Sequence, residues 1–349
     1  MMIKTKQCLK YLKYGVGILL IYMAYISILP NLPELNFKSD NPVRTRSVKR
    51  HKREPLSDNS TGPNPIFNGQ YILNNISMCI QSEPVNVIVV VHTAPTHFLQ
   101  RENIRETYGA RKLFLPTEVR VIFLLGRLMD QKLQERIVSE HNAHGDIIQG
   151  DFKDAYHNLT YKAVMGLHWV SHYCPDTEYV IKTDDDVVFD MWRFMKQVYT
   201  KIRFISRTIY GIVRSKDSIP RSGKWTVPSY FLRGYSHYPF QFCIGFVLIM
   251  SADVIPDLYR ATFKVPFFWL DDVYVTGLLP SCAGGIVIKQ HFGNLALNPD
   301  SDALDCLKEK LYKCPYLAVC TKSLSTYWEV WNLFRQRNNV FMNQTNTMY

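Results

Sequence analysis

The chain has 349 residues, 47% of them hydrophobic, enough to bury one large core or two smaller ones. Its formal charge of +11 is concentrated at one end: residues 1–53 hold eleven Lys or Arg against Glu34 and Asp40, and so carry +9. The remaining 296 residues share +2, a nearly neutral body that argues against a nucleic-acid-binding surface.

Residues 1–11 read as a cytosolic tail and residues 12–29 as an uncleaved transmembrane signal-anchor. The run LKYGVGILLIYMAYISIL carries one charge, Lys13. As a helix it would rise about 27 Å, close to the thickness of a hydrocarbon core. Lys4, Lys6, Lys10 and Lys13 lie at its start and put that side in the cytosol, with the body lumenal. A cleaved signal peptide is the competing reading. Its apolar run is shorter and closes on small residues, whereas here the end is bulky, Tyr25 to Pro30.

Asn59, Asn75, Asn158 and Asn343 each begin an N-glycosylation acceptor pattern, which agrees with a lumenal body. Cys8 lies on the cytosolic side, a position open to reversible acylation. Cys79, Cys174, Cys243, Cys282, Cys306, Cys314 and Cys320 would face an oxidising lumen. Seven is odd, so at least one is free, buried or paired between chains. No CxxC pair has zinc-ribbon spacing.

Residues 30–80 read as a stem of Pro, Asn, Ser and charges without an apolar period. Its basic run ends in Arg50-His51-Lys52-Arg53, a dibasic form that secretory convertases cut. The body, 81–349, opens on Val85 to Val91, a continuous β-branched run of the kind found in strands covered on both faces. A helix is expected over Arg101 to Gly109, a strand over Val119 to Leu125 and a helix over Gln131 to His141. A short strand over Asp146 to Gln149 and a helix over Asn158 to His172 follow, then a strand over Glu178 to Lys182. Alternation of this kind predicts an open α/β sheet with crossover connections.

That last strand runs straight into Asp184, Asp185 and Asp186. Three adjacent carboxylates repel one another unless a cation or solvent relieves them. Hard oxygen donors suit Mg²⁺ or Mn²⁺, which use one or two carboxylates together with substrate phosphates. Ligand sites in open α/β sheets lie beyond the carboxyl ends of the strands. A solvated acidic turn is the alternative.

The wider text bears on that choice. Gly145 to Phe152, Asp154 to Lys162 and Tyr179 to Val188 closely resemble the β1,3-galactosyltransferase family, which includes β1,3-N-acetylglucosaminyltransferases and is related to Fringe. Arg101 to Gly109, Phe123 to Gly126, Lys224 to Val227, Tyr238-Pro239 and Leu270 to Gly277 continue the resemblance in colinear order, from about 85 to 335. It implies a GT-A fold, a UDP-sugar donor, Mn²⁺, a glycan acceptor and inverting transfer to a β1,3 linkage. It also implies a Golgi membrane protein of single-pass type II topology. By the same resemblance Asp186 binds the metal, while Asp184 and Asp185 hold the ribose side and shape the metal's surroundings. Arg101 and Arg105 would face the nucleotide and its phosphates, where guanidinium donors suit a diphosphate. Asp271 and Asp272 match the acidic pair that supplies the general base, with Asp272 at the more constant position. Phe267, Phe268, Trp269 and Leu270 precede the pair, so desolvation should raise its pKa and sharpen its basicity. Capping of a helix at Val273 is a second role open to these aspartates.

Two departures stand out. After Tyr238-Pro239 the family has a glycine-rich stretch, of which Phe240 to Phe246 keeps only Gly245. Many members also carry a late metal-binding histidine about eleven residues before a helical tryptophan. Counting back from Trp331 gives Cys320, with His291 as another candidate. The expected activity is transfer of a hexose, galactose first. A UDP-N-acetylglucosamine donor and an inactive glycan-binding relative are the alternatives.

Overall fold

In the computed structural model, which describes residues 66–80, 84–291, 296–298 and 302–345, the β-branched runs assemble into one large mixed sheet. Its elements begin with β1 (Tyr71–Leu73), β2 (Val87–His92), α1 (Phe98–Glu106), β3 (Val119–Arg127) and α2 (Gln131–His144). They continue with β4 (Ile147–Lys153), α3 (Leu159–Tyr173), β5 (Tyr179–Asp184), β6 (Val187–Phe189) and a helical run α4 over 191–202. Next come β7 (Thr208–Gly211), β8 (Val213–Arg214), β9 (Phe242–Cys243), β10 (Val247–Ser251) and α5 (Ile255–Ala261). The rest is a helical run α6 over 271–283, β11 (Val287–Gln290), β12 (Ala296–Asn298), α7 (Asp302–Lys310), β13 (Tyr316–Cys320) and α8 (Leu324–Thr345).

The large sheet has the order β1-β4-β3-β2-β5-β10-β7-β11. Strands β4, β3, β2 and β5 are parallel, joined by α1, α2 and α3, which is the alternation expected from the sequence. Beyond them β10 runs antiparallel to both β5 and β7. The sheet is therefore mixed α/β. Its continuous apolar strands are explained by cover on both faces: Val87, Val89 and Val91 pack with Ile104, Ile137 and Phe334 on one side. Ile88 and Val90 pack with Met165, Trp169 and Leu258 on the other. Truncating Ile88 to alanine would cost about 2–5 kcal/mol through the cavity it leaves.

Local signals set several boundaries. Asp130 caps α2 by accepting from the Leu133 N–H at 3.1 Å. The helix outlasts its expected end and stops at Gly145, whose φ of 67° suits the left-handed closing position. Helix α1 begins three residues earlier than expected, because the Arg101 N–H already bonds back to the His97 carbonyl at 3.2 Å. A second sheet, β12-β13-β6, carries the chain end back beside β5. Its helix α8 is anchored by Arg337, whose Nε donates to buried Asp190 at 2.7 Å.

The body starts earlier than residue 81. Phe67 is buried, β1 pairs with β4, and the Trp169 indole donates to Asn74 at 2.8 Å. A disulfide joins Cys79 to Cys174, so residues 66–80, expected in the stem, are a strap on the fold. The second disulfide is Cys306–Cys314, leaving Cys243, Cys282 and Cys320 free among the described residues. The expected anchor over residues 12–29, and Cys8, Asn59 and Arg53, lie outside the described residues, as does the Asn343 side chain. No helix among the described residues is long and apolar enough to cross a membrane. Asn75 and Asn158 donate their side-chain amides to the Gly145 and Lys153 carbonyls.

Candidate active site at the carboxyl edge of the sheet

Strand β5 delivers Lys182 and Asp184 to the same face, two residues apart in a pleat of period 2. The Lys182 ammonium, nearly buried, donates to Asp184 Oδ1 at 2.7 Å and to the Gly245 carbonyl at 2.5 Å. Desolvation at the crowded strand end raises the Asp184 pKa while Lys182 pulls it down. With 43% of that side chain open, the rise is tempered by water.

The three aspartates of the triplet diverge. Asp185 is buried and turns back into the fold, its Oδ2 accepting from Thr93 Oγ1 at 2.5 Å and lying 2.8 Å from His97 Nδ1. Asp186 is exposed, and its Oδ2 accepts from the Cys320 thiol at 3.5 Å. Pairing of β13 with β6 sets Cys320 opposite Val187, which is why a residue 134 positions away arrives beside Asp186. Burial and the neighbouring Asp186 push the Cys320 thiol up to about 12, so it stays protonated at neutral pH. His291 follows β11, three strands from β5 in the sheet order.

Asp271 and Asp272 open the helical run α6. Asp272 Oδ1 accepts from the Val273 N–H at 2.7 Å, and the Gly245 N–H also bonds to Asp272. Burial first, then the adjacent Asp271, pushes Asp272 up to about 7. Val275 and Leu248, which line the same small cavity as Asp272, are among the apolar groups that surround it. Asp271 Oδ2 lies 3.8 Å from His92 Nδ1, too long for a hydrogen bond. Burial holds His92 neutral, with Lys182 and Lys162 adding to the effect.

Gly245 thus sits between the two acidic groups. Its carbonyl receives Lys182, and its N–H meets Asp272. A small cavity of ≈ 30 Å³ opens here, with His92, Lys182, Asp271 and Asp272 at its polar end and Val90 and Leu248 behind. That space suits a water molecule.

Arg101 and Arg105 are bound into the fold rather than extended into the open site. Arg101 is completely buried; its Nε and Nη2 grip Glu140 at 2.8 and 2.6 Å, and Nη1 donates to the Ala94 carbonyl at 2.8 Å. Arg105 makes a two-pronged pair with Asp146 at 2.7 and 2.9 Å and reaches Glu140 at 2.8 Å. Arg101 therefore holds the 93–97 loop that carries the partners of Asp185.

Sequence reasoning named the carboxylates and missed Lys182, His92, Thr93 and Glu140. Lys182 was findable, being a lone cation inside a buried strand and in phase with Asp184. No group of three His, Cys, Asp or Glu able to hold a metal ion occurs among the described residues.

Galactosyltransferases as a family match residues 99–290, a span holding both arginines, the aspartate triplet, Asp271 and Asp272. The chain is 34% identical to Beta-1,3-galactosyltransferase 5 of Mus musculus over 262 residues, 72% of this chain and 80% of that protein. It is 32% identical to Beta-1,3-galactosyltransferase 1 of Homo sapiens over 254 residues, 72% and 76% of the two. UDP-GalNAc:beta-1,3-N-acetylgalactosaminyltransferase 1 of Rattus norvegicus is 29% identical over 282 residues, 75% and 78%. A solved glycosyltransferase involved in glycosylation of the major capsid of PBCV-1 gives a TM-score of 0.39 at 10% identity, covering 71% of this chain and 99% of that one, too distant to argue from.

Proposed function

This chain belongs to the galactosyltransferase family, and on that premise we propose that it transfers galactose from UDP-galactose to a glycan hydroxyl, with inversion, to form a β1,3 linkage. The sheet and its carboxyl-edge site support a GT-A reading of the fold. One observation carries the mechanism: a carboxylate raised towards neutrality, Asp272, stands one glycine from a separate acidic group suited to the nucleotide side.

In this reading Asp272 accepts the proton of the acceptor hydroxyl as that oxygen attacks the anomeric carbon, and the bond to UDP breaks from the opposite face. A base with a pKa near the working pH combines availability with proton affinity. Asp271 keeps its neighbour's pKa high by repulsion, and Lys182 keeps it from rising further. Asp184 faces the ribose side, steadied by Lys182, while Asp185 is fixed by Thr93 and His97. Arg101 and Arg105 act through Glu140 and the 93–97 loop.

The donor set fits a hard divalent ion in a limited way. Asp186 offers one exposed carboxylate, and the Cys320 sulfur beside it is a soft donor that suits zinc better than Mn²⁺. Such an ion often takes one or two carboxylates and completes its shell with substrate phosphates and water. Asp186 would hold it, and its charge would stabilise the departing diphosphate.

The apolar run at residues 12–29 with its basic flank supports a single-pass anchor in the Golgi membrane, body lumenal. The disulfides Cys79–Cys174 and Cys306–Cys314 agree with an oxidising compartment. A second reading, a glycan-binding relative without turnover, draws on Cys320 standing beside Asp186 where many family members carry a histidine. Donor hydrolysis and transfer assays on the full-length protein, with Mn²⁺ and a panel of UDP-sugars, separate the two. Turnover with UDP-galactose supports the first; binding of glycans without turnover of any donor would replace it with the second.

A further inference from the structure

Three segments that lie far apart in the chain bring aromatic rings together at the surface beside α6. Tyr156, just before α3, is 46% exposed, and Trp225 is 56% exposed. The Trp225 indole donates to the Tyr156 hydroxyl at 3.2 Å, and the Trp269 indole donates to the Thr226 carbonyl at 3.1 Å. The Trp269 ring stands 6.2 Å from Tyr156 and 4.7 Å from His157. Lys224 Nζ lies over the same group, 4.9 Å from the Tyr156 ring and 5.6 Å from that of Trp225.

Tyr156 and Trp225 contribute little to the packing below them, being about half open to water. The packing beneath is supplied separately by Phe268 stacked on Phe231 at 4.4 Å, with the Phe268 carbonyl held by Thr160 at 2.7 Å. Large rings left open to water in a contiguous group mark a binding surface. Position argues what binds. Helix α3 starts where β4 ends, so Tyr156 lies at the carboxyl edge of the parallel strands, the edge that holds Asp184. Trp269 lies two residues before Asp271. The ledge therefore adjoins the proposed base along the chain and is not built from the acidic triplet that would face the nucleotide.

We propose that Tyr156, Trp225 and Trp269 form the acceptor subsite, stacking the apolar face of a pyranose in the acceptor glycan. Ring faces bind the axial C–H groups of a sugar, while Tyr and Trp also offer polar edges to its hydroxyls. The Lys224 ammonium adds a donor at the margin. This inference rests on the glycosyltransferase reading and adds the place and chemistry of acceptor recognition.

The test uses full-length protein carrying Trp225→Ala, Tyr156→Ala or Trp225→Phe, all at exposed positions. With transfer measured against galactose- and N-acetylhexosamine-terminated oligosaccharides, both alanine variants should raise acceptor KM by about three- to tenfold, the worth of one aromatic contact. Donor KM and the unfolding midpoint should not move, and Trp225→Phe should restore most of the affinity. Unchanged acceptor KM in both alanine variants overturns the subsite. A change of oligomeric state in Trp225→Ala, with acceptor KM intact, assigns the ledge to self-association and also overturns it. If the wild type transfers nothing, the activity reading fails instead. Direct binding to the same oligosaccharides then decides the ledge: loss in the alanine variants keeps it, and no loss removes it.

Discussion

Lys182 Nζ lies 2.7 Å from Asp184 Oδ1 and also faces Asp271 and Asp272, so one buried cation serves two acidic groups. Removing it should disturb both. Lys182→Met takes away a charge that lowers the Asp272 pKa, so the acid limb of kcat/KM should move to higher pH. Lys182→Arg should keep the limb near its wild-type position. A pH profile of kcat/KM for the three proteins checks this, and superimposed limbs would deny Lys182 its role.

Asp272 carries the clearest pH signature. With its carboxyl pushed up to about 7, the ionised base is depleted as pH falls through that value, and kcat/KM should fall with it. Asp272→Asn should lower the rate by about 10²- to 10⁴-fold. Stability should move the other way. An aspartate in the unfolded chain titrates near 4. Between that value and 7 the folded protein holds the extra proton, so this group's contribution declines as pH rises through the interval. At pH 8 the asparagine variant, which cannot ionise, should melt no lower than wild type. A thermal melt at pH 5 and pH 8 measures the difference.

Chelation addresses the metal. EDTA should abolish transfer, Mn²⁺ should restore it, and Asp186→Ala should make the loss permanent. Cys320→His replaces a protonated thiol beside Asp186 with an imidazole, a better donor to Mn²⁺. The Mn²⁺ concentration for half-maximal activity should drop in that variant. A Mn²⁺ titration of wild type and Cys320→His gives the answer, and identical curves would place Cys320 outside the metal's surroundings.

Arg101 separates two roles. If it holds the loop through Glu140, Arg101→Ala leaves a buried carboxylate short of a partner and should cost about 3–5 kcal/mol in urea unfolding. If it contacts the diphosphate instead, donor KM should rise with little loss of stability. Glu140→Gln is the companion variant, since it weakens the grip without touching the arginine.

Much of this was legible in the chain itself. Strands β2, β3 and β5 could be read from Val, Ile and Leu runs because both of their faces are covered, and α3 from its apolar spacing. The carboxylates could be named because adjacent acids are costly anywhere that nothing offsets them. Other features lie beyond local reading. β1 is three residues long, too short for a period, and joins the sheet only through β4. Asp190 caps the start of α4 by accepting from the Arg193 N–H, but its buried partner Arg337 comes from α8, 147 positions on. The role of Arg101 hinges on Glu140, 39 residues on, and so could not be told from its own helix. Cys320 shows the intermediate case, since its count from Trp331 pointed to Asp186 and the β13–β6 pairing brings the two together.

The strap that begins near Phe67 and closes on Cys174 bears on what a cut in the basic run before it would release. The dibasic run ends at Arg53, thirteen residues before the first described position, Ile66. A cut there would spare Phe67, β1 and the Cys79–Cys174 bridge. The released piece would keep every residue assigned to the site and every strand of the large sheet. It would diffuse as an enzyme rather than as debris.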